Sequence, residues 1–371
     1  MSAFRALRSR AVLTTAAAAV AAGAVLRSTP WPAALLIRGV FYRGAQQLAQ
    51  QMRPYAPAVS QHCGIDYQPA GRSRQLDIFL PPGHTAAGAQ TVPVILWVHG
   101  GAWISGSRRD VAPYLRMLAA RGYAAVGLDY SVAPGSRYPQ ALHELNEAVS
   151  FLQRSTAGYG LDMKRVVLAG DSAGAQLAAQ FSAAVTSPGY AAALGMVPAL
   201  PAAHLRAAVL HCGVYDLEAM GRLSGILGWG FRTALWAYTG RRRFAGSAAA
   251  QQMSVLSHAT GAFPPTFISG GNGDGLTLQQ SVPFARRLGE LGVPVTSRFW
   301  PADLSPALPH EAQFHFSRPE ARAVLDETAA FLDAALPQGI PGPPHRPEPA
   351  MPAPEQSTAV SAHQRTDQPP A

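Results

Sequence analysis

The chain has 371 residues, 48% of them hydrophobic, which suffices for one large domain with a sizeable core and excludes a globally disordered protein. Its formal net charge of +9 is concentrated at the start, because residues 1–53 hold seven arginines and no acidic residue. In the nearly neutral remainder only Arg241-Arg242-Arg243 forms a positive cluster, which we interpret as a solvated loop, with a ligand or membrane contact as the alternative. This charge distribution excludes a basic nucleic-acid-binding face on the folded domain. Cys63 and Cys212 fit no metal-ligand spacing, so we predict no metal site and two isolated buried thiols, with a disulfide as the alternative in an exported protein.

Residues 1–30 have the layout of a secretory signal peptide or signal anchor. Three arginines precede an uncharged, alanine-rich run over 11–26, and prolines follow at 30 and 32. The run is shorter than the roughly 20 apolar residues that span a bilayer, which favours a signal peptide. Because positive charge precedes the run, we predict an extracytoplasmic catalytic domain. An alanine-rich helix packed on a cytoplasmic protein is the alternative.

Three further regions follow along the chain. Residues 31–60 are predicted to form an amphipathic N-terminal cap segment, which covers an active site or lies on a membrane surface. Residues 61–336 are predicted to form an α/β domain with a mainly parallel sheet, and the insertion 216–261 to form a helical cap. The tail 337–371 holds ten of the 32 prolines and is predicted to be disordered. The predicted strands are Gln75 to Leu80, Val92 to Val98, Ala124 to Asp129, Arg165 to Ala169, Ala207 to Cys212, Thr266 to Ser269 and Val295 to Trp300.

The strongest local signal is the stretch R-V-V-L-A-G-D-S-A-G from Arg165 to Gly174. A G-x-S-x-G motif between a β-branched run and a helical stripe is typical of the sharp turn that exposes a serine hydroxyl at the top of a parallel sheet. Gly170 and Gly174 are expected there because the strained turn leaves no room for a Cβ atom. Ser172 is therefore the candidate nucleophile. The alternative is a turn flanked by glycines in which the serine has no catalytic role.

A second motif, V-I-L-W-V-H-G-G-A-W, begins at Val94. A glycine pair after a buried strand lets backbone amides point into a site, where they stabilise the oxyanion that forms when a serine attacks a carbonyl. The predicted oxyanion donors are Gly101, Ala102 and Ala173, and His99 and Gly100 are predicted to support this loop.

A neutral serine needs a base that is held by a carboxylate. With the chain order serine, acid, histidine, the acid should follow the next-to-last strand, where Asp274 lies, with Asp303 as the competitor. The base should follow the last strand. His310 is preferred there over His315, which lies in an aromatic run.

From about residue 31 to 332 the chain resembles two bacterial α/β-hydrolase groups, the families related to hormone-sensitive lipase (α/β-hydrolase fold-3) and the BD-FAE-type esterases. The resemblance implies the α/β-hydrolase fold with a helical cap, and it independently supports His310 as the base. Ala102 departs from the third glycine of the lipase-type H-G-G-G motif, and Gly135 and Gly275 replace residues that are common in relatives. The matching motifs are H-G-G-A-W-I-S-G from His99, D-Y-S-V-A-P from Asp129, A-G-D-S-A-G-A-Q from Ala169, G-N-G-D from Gly271 and L-P-H-E-A-Q-F from Leu308.

These features predict a serine-dependent carboxylic ester hydrolase that needs no cofactor. Its expected partner is a small-molecule ester of short to medium acyl length, with membrane association through the N-terminus and without nucleic acid. An arylformamidase-type amidase shares the motifs, and a non-catalytic hydrolase fold used for binding is the alternative from another class. The expected pocket walls are Trp229, Phe231, Trp236, Tyr238, Leu35, Leu36 and Phe41.

Overall fold

Short runs of buried aliphatic and small residues form the inner strands of one eight-stranded sheet, whereas the two edge strands are exposed or half-buried. The computed structural model describes Gly23 and residues 28–68, 74–85 and 91–336. The predicted signal segment and the proline-rich tail therefore lie almost entirely outside the described residues. The strands are β1 (Ser60–Asp66), β2 (Gln75–Leu80), β3 (Val92–Val98), β4 (Ala124–Leu128), β5 (Leu161–Asp171), β6 (Leu205–His211), β7 (Thr266–Gly270) and β8 (Val295–Phe299).

The strand order is β1-β2-β4-β3-β5-β6-β7-β8. The first two pairings, β1 with β2 and β2 with β4, are antiparallel, and the other five are parallel. In the central strands alternate side chains enter two separate cores, as the twofold period of a strand requires. Val94, Leu96 and Val98 of β3 belong to one core, and Ile95 and Trp97 belong to the other.

Helices connect the strands and bury their apolar faces against the sheet. The cap region 216–261 contains three of these helices, in agreement with the helical interpretation of that insertion. The helices are α1 (Trp31–Met52), α2 (Arg108–Ala119), α3 (Gln140–Arg154), α4 (Thr156–Tyr159), α5 (Ala173–Thr186), α6 (Pro188–Ala193), α7 (Leu217–Met220), α8 (Gly225–Thr239), α9 (Ala248–Met253), α10 (Val282–Glu290) and α11 (Pro319–Ala335).

All seven predicted strands are present, and the largest difference in their bounds is at β5, which begins at Leu161 instead of Arg165. The edge strand β1 was not predicted. Its sequence S-Q-H-C-G-I-D is mostly polar and exposed, so no hydrophobic alternation marks it, and pairing with β2 defines it. Cys63 lies on this strand and is exposed, whereas Cys212 is buried, and both thiols are free. The prediction of two buried thiols is therefore wrong for Cys63.

Candidate active site

Ser172 lies at the sharp turn between β5 and α5, in a strained backbone conformation with a φ angle of 52°. The flanking glycines are required by close backbone packing. A Cβ atom on Gly174 would lie 2.0 Å from the carbonyl oxygen of Val98, and one on Gly170 would lie 2.6 Å from the carbonyl carbon of Gly174. The turn therefore forms only with glycine at both positions, and it holds the serine at the carboxyl end of the sheet.

Three side chains from separate loops form a continuous hydrogen-bond chain. His310 follows β8, and its Nε2 lies 2.9 Å from Oγ of Ser172. Its Nδ1 lies 2.9 Å from Oδ2 of Asp274, which follows β7. The other carboxylate oxygen of Asp274 accepts a hydrogen bond of 2.9 Å from the amide of Leu276, which fixes the carboxylate toward the imidazole. The structure thus brings together the three residues that the sequence singled out.

The charges around His310 favour its protonated form. Burial lowers the pKa of this imidazole, but the charge and hydrogen bond of Asp274, followed by the charges of Glu311 and Asp171, raise it by more. The resulting pKa is raised to about 9. An imidazole in this environment readily accepts a proton from a neighbouring hydroxyl.

The loop after β3 presents unpaired backbone amides beside Ser172. Gly101 and Ala102 have positive φ angles of 108° and 51°, and a Cβ atom on Gly101 would lie 2.4 Å from the carbonyl oxygen of Ser105. The carbonyl of Gly101 accepts hydrogen bonds from Ile104 and Ser105, which closes the loop on itself. Within the described part of the chain, no acceptor is bonded to the amides of Gly101, Ala102 or Ala173. These three amides are available to an oxyanion.

Asp171 connects the serine turn to this loop, a role that the sequence did not reveal. Its two oxygens accept hydrogen bonds of 2.8 Å from the indole Nε1 of Trp97 and from the amide of Gly100. Burial, followed by the charge of Glu311, raises the pKa of this carboxyl well above its usual range.

His99 packs inside the domain beside the loop after β3. Its ring is buried and stacks on the ring of Tyr130, with the ring centroids 4.4 Å apart. Burial lowers the pKa of His99, which disfavours the charged form of the ring.

A cavity of about 800 Å³ opens beside the side chains of Ser172, Asp274 and His310. Its walls come mainly from α1 and α8, and its floor holds Ser172, His310 and the loop after β3. Arg38 and Gln46 of helix α1 form hydrogen bonds to the domain, and Arg38 donates from Nη2 to the carbonyl oxygen of Ala133 as well. Arg38 donates to the carbonyl oxygen of Ile104 at 2.6 Å, and Gln46 donates to Oδ1 of Asp110 at 2.9 Å.

Residues 76–288, more than half of the chain, match the family model described as BD-FAE. The chain belongs to the BD-FAE family. Among curated relatives, this BD-FAE protein is 27% identical to esterase LipQ of Mycobacterium tuberculosis over 249 residues. The matched region covers 66% of this chain and 56% of LipQ. It is 28% identical over 229 residues to the probable carboxylic ester hydrolase LipM of the same organism. That matched region covers 60% of this chain and 51% of LipM. The matched region thus spans only about half the length of these relatives.

Solved structures of esterases share the fold of this BD-FAE protein. Esterase B of Lactobacillus rhamnosis superposes with a TM-score of 0.67 at 22% identity, covering 82% of this chain and 95% of that one. An esterase of Pyrobaculum calidifontis superposes with a TM-score of 0.65 at 19% identity. The superposition covers 81% of this chain and 92% of that esterase. The prediction of the α/β-hydrolase fold is confirmed.

Neither of the two competing site residues lines the cavity. Asp303 is exposed in the loop after β8, and His315 lies beyond the short helix Ala312–Phe314; neither joins the hydrogen-bond chain. Cys212, by contrast, lies close to it, because its Sγ and ligand atoms of Asp274 and His310 are all within 4.8 Å of one another. No sequence motif indicates that Cys212 lies at the site. It lies there because the sheet places the end of β6 beside the loops that carry Asp274 and His310.

The pocket walls were predicted only in part. Trp229, Phe231, Leu36 and Phe41 line the cavity. Trp236 and Tyr238 do not, although they lie on the same helix, α8. Tyr238 is fully buried against Trp103, and Trp236 lies under the guanidinium of Arg242. Leu35 lines a smaller neighbouring pocket of about 410 Å³. Among the described residues, no helix combines the length and the apolar character needed to cross a membrane.

Proposed function

We propose that this BD-FAE protein is a serine-dependent carboxylic ester hydrolase with Ser172 as nucleophile, His310 as base and Asp274 as the residue that orients the base. The observation that carries the proposal is the hydrogen-bond chain from Asp274 through His310 to Ser172, beside three unpaired amides. The esterases among its relatives and structural neighbours support the same class of reaction.

In the first half of the reaction, Oγ of Ser172 attacks the carbonyl carbon of the ester while its proton passes to Nε2 of His310. The carbonyl oxygen becomes an oxyanion and accepts hydrogen bonds from the amides of Gly101, Ala102 and Ala173. When the tetrahedral intermediate collapses, the bond to the alcohol oxygen breaks. His310 gives its proton to that oxygen, so that an alcohol leaves and an acyl ester remains on Ser172.

In the second half, water replaces the alcohol. His310 accepts a proton from the water as the water oxygen attacks the acyl carbon, and the same amides stabilise the second oxyanion. Collapse breaks the bond to Oγ, which regains its proton from His310. A carboxylic acid is released, and the enzyme returns to its starting state. Asp274 orients the imidazole and stabilises the imidazolium that forms twice in each cycle.

We propose a substrate with an acyl chain of short to medium length, and the lining of the cavity supports an apolar acyl group. Its walls are mostly apolar, and burial of an acyl chain there is favourable by about 0.8 kcal/mol for each CH₂ group. Leu36, Phe41 and Phe231 are among the side chains that would contact the chain.

Labelling with a fluorophosphonate probe, followed by mapping of the modified peptide, tests activity and nucleophile together. We expect Ser172 to be modified and Ser172→Ala to lose both labelling and esterase activity while its circular dichroism is unchanged. Ser105→Ala is the matched control, because Ser105 also lines the cavity and should leave labelling intact. Labelling that persists in Ser172→Ala would reject the assignment.

We also propose that the catalytic domain faces the outside of the cytoplasmic membrane. The support is the sequence alone, in which positive charge precedes the apolar run over 11–26. A reporter that is active only outside the cytoplasm, fused after Arg53, should give signal. A silent reporter on a protein that stays in the cytosol would reject this location.

A further inference from the structure

Six large hydrophobic side chains line the cavity and are exposed to solvent at the same time. Their exposed fractions run from 41% for Phe41 to 86% for Ile226. A side chain that faces both a cavity and solvent lies at the mouth of that cavity. We call this set the apolar rim, and it consists of Leu36, Val40 and Phe41 on α1 and Ile226, Leu227 and Trp229 on α8.

The rim is a continuous feature rather than a scatter of single residues. Helices α1 and α8 pack against each other, so their exposed side chains lie side by side. Single exposed hydrophobic residues are ordinary on a protein surface, but an adjoining set around one opening marks an interaction surface. The rest of α1 is held to the domain through Arg38 and Gln46, so the rim residues are free to face outward.

The two segments that carry the rim hold only positive charge. Residues 31–65 and 219–273 contain no aspartate or glutamate. Their arginines include Arg43 and Arg232, which are exposed, and Arg232 donates from Nη1 to the carbonyl oxygen of Leu223. The other arginines in these segments are Arg38, Arg53, Arg222, Arg241, Arg242 and Arg243. An apolar surface flanked by cationic side chains matches an anionic lipid layer, with apolar groups below the headgroups and arginines among them.

We propose that the apolar rim docks on an anionic lipid surface, with the mouth of the cavity turned toward the lipid. A second copy of this chain would also cover the rim, but a symmetric pair would place two positive segments against each other, which is unfavourable. If the proposed ester hydrolysis also holds, ester substrates enter the cavity from the lipid layer. The docking itself does not depend on that function.

An environment-sensitive dye placed on the rim tests the docking directly. The labelled protein is the full chain with two substitutions, Cys63→Ser and Ile226→Cys. Cys63→Ser removes the exposed thiol and leaves only the buried Cys212, so that nitrobenzoxadiazole labels the new cysteine at position 226. The matched control is Val197→Cys in the same background, because Val197 is also 86% exposed but does not line the cavity. The vesicles are phosphatidylcholine alone or phosphatidylcholine mixed with phosphatidylglycerol.

We expect a blue shift and a rise in fluorescence at position 226 with the anionic vesicles, little change with the neutral ones, and none at position 197. Salt at about 0.5 M should weaken the response, because it screens the arginine contribution. Cosedimentation of the full chain gives a second measurement. Leu36→Ser combined with Val40→Ser and Ile226→Ser should lower the vesicle partition coefficient at least about tenfold, and Val197→Ser should not.

Three results would overturn the proposal. Vesicle binding without a response at position 226 would assign attachment to residues outside the rim, such as the segment 1–30. A response that grows with protein concentration in the absence of vesicles, with a doubled mass in solution, would assign the rim to a second copy. No binding to either vesicle would leave the rim without a lipid partner. None of these measurements uses substrate, so their failure is distinct from a failure of ester hydrolysis.

Discussion

Oδ2 of Asp171 accepts a hydrogen bond of 2.8 Å from the amide of Gly100, while Oδ1 accepts one from the indole of Trp97. This contact joins the turn that carries Ser172 to the loop that carries the candidate oxyanion amides. The relative position of nucleophile and oxyanion donors therefore depends on one buried carboxyl group.

Asp171→Ala should lower both stability and turnover. It leaves two buried donors without acceptors, which costs roughly 2–5 kcal/mol of unfolding free energy in total. The released loop should also lower kcat by about 10- to 100-fold, because oxyanion donors are sensitive to small displacements. Urea denaturation and steady-state kinetics measure the two effects. Asp303→Ala, at an exposed position, should change stability by less than about 0.5 kcal/mol, and equal effects for the two variants would contradict the role of Asp171.

The activity should depend on pH through His310. The imidazole must be neutral to accept the proton of Ser172, and its pKa is raised to about 9 by Asp274, Glu311 and Asp171 against the opposing effect of burial. A raised pKa keeps the base protonated to higher pH, so kcat/KM should rise as pH increases and level off only above about pH 9.

Glu311→Gln tests the origin of that shift. It removes a negative charge that raises the pKa of His310, so the rising limb of the profile should move to lower pH. Glu290→Gln on α10 is a control, because this residue is 54% exposed and pairs with Arg286 and Arg287. A profile that is identical in wild type and Glu311→Gln would remove Glu311 from the electrostatics of the base.

The sequence predicted the parts of the site that depend on local backbone demands. Gly170 and Gly174 mark a turn whose geometry follows from neighbouring residues, and a glycine pair likewise marks the loop after β3. Asp171 and Glu311 lie beside recognised motif residues, but the role of Asp171 depends on its contacts with Trp97 and Gly100 across the fold. The effect of Glu311 depends on its charge near the imidazole of His310. Such long-range contacts leave no periodicity or spacing to detect.

The strands and the cap helices differ in the same way. All the strands with hydrophobic runs were predicted, with bounds that differ by up to four residues at the start of β5. Strand β1 was missed because its pairing with β2 rests on backbone hydrogen bonds between mostly polar residues. In the cap, the composition indicated a helix but not its orientation. Trp229 and Trp236 are one heptad apart on α8, yet only Trp229 faces the cavity.

Asp274→Asn should lower turnover by roughly 10⁴, as expected when the base loses the partner that fixes its tautomer. Oδ2 of Asp274 lies 2.9 Å from Nδ1 of His310, whereas Asp303 is exposed and outside the hydrogen-bond chain. Asp303→Asn should therefore keep nearly full activity. Burst kinetics with a p-nitrophenyl ester separate acylation from deacylation in both variants. Equal losses, or a larger loss in Asp303→Asn, would move the acid to Asp303.

The choice between esters and formamides can be decided by one series of substrates. We expect esters of short to medium acyl chains to be cleaved faster than formamides and long-chain esters. The cavity walls are mostly apolar, and among the described residues that line it there is no arginine or lysine to bind the carboxylate of a kynurenine-type zwitterion. Asp110 and Glu311 in the lining would repel that carboxylate. An ester also loses its alcohol more easily than an amide loses its amine, because the amine is the poorer leaving group and depends more strongly on the proton from His310. The measurement is kcat/KM of the full chain in detergent for p-nitrophenyl esters from acetate to palmitate beside N-formylkynurenine, with Ser172→Ala as the blank. A formamide rate above that of every ester would reject the carboxylesterase proposal in favour of an arylformamidase.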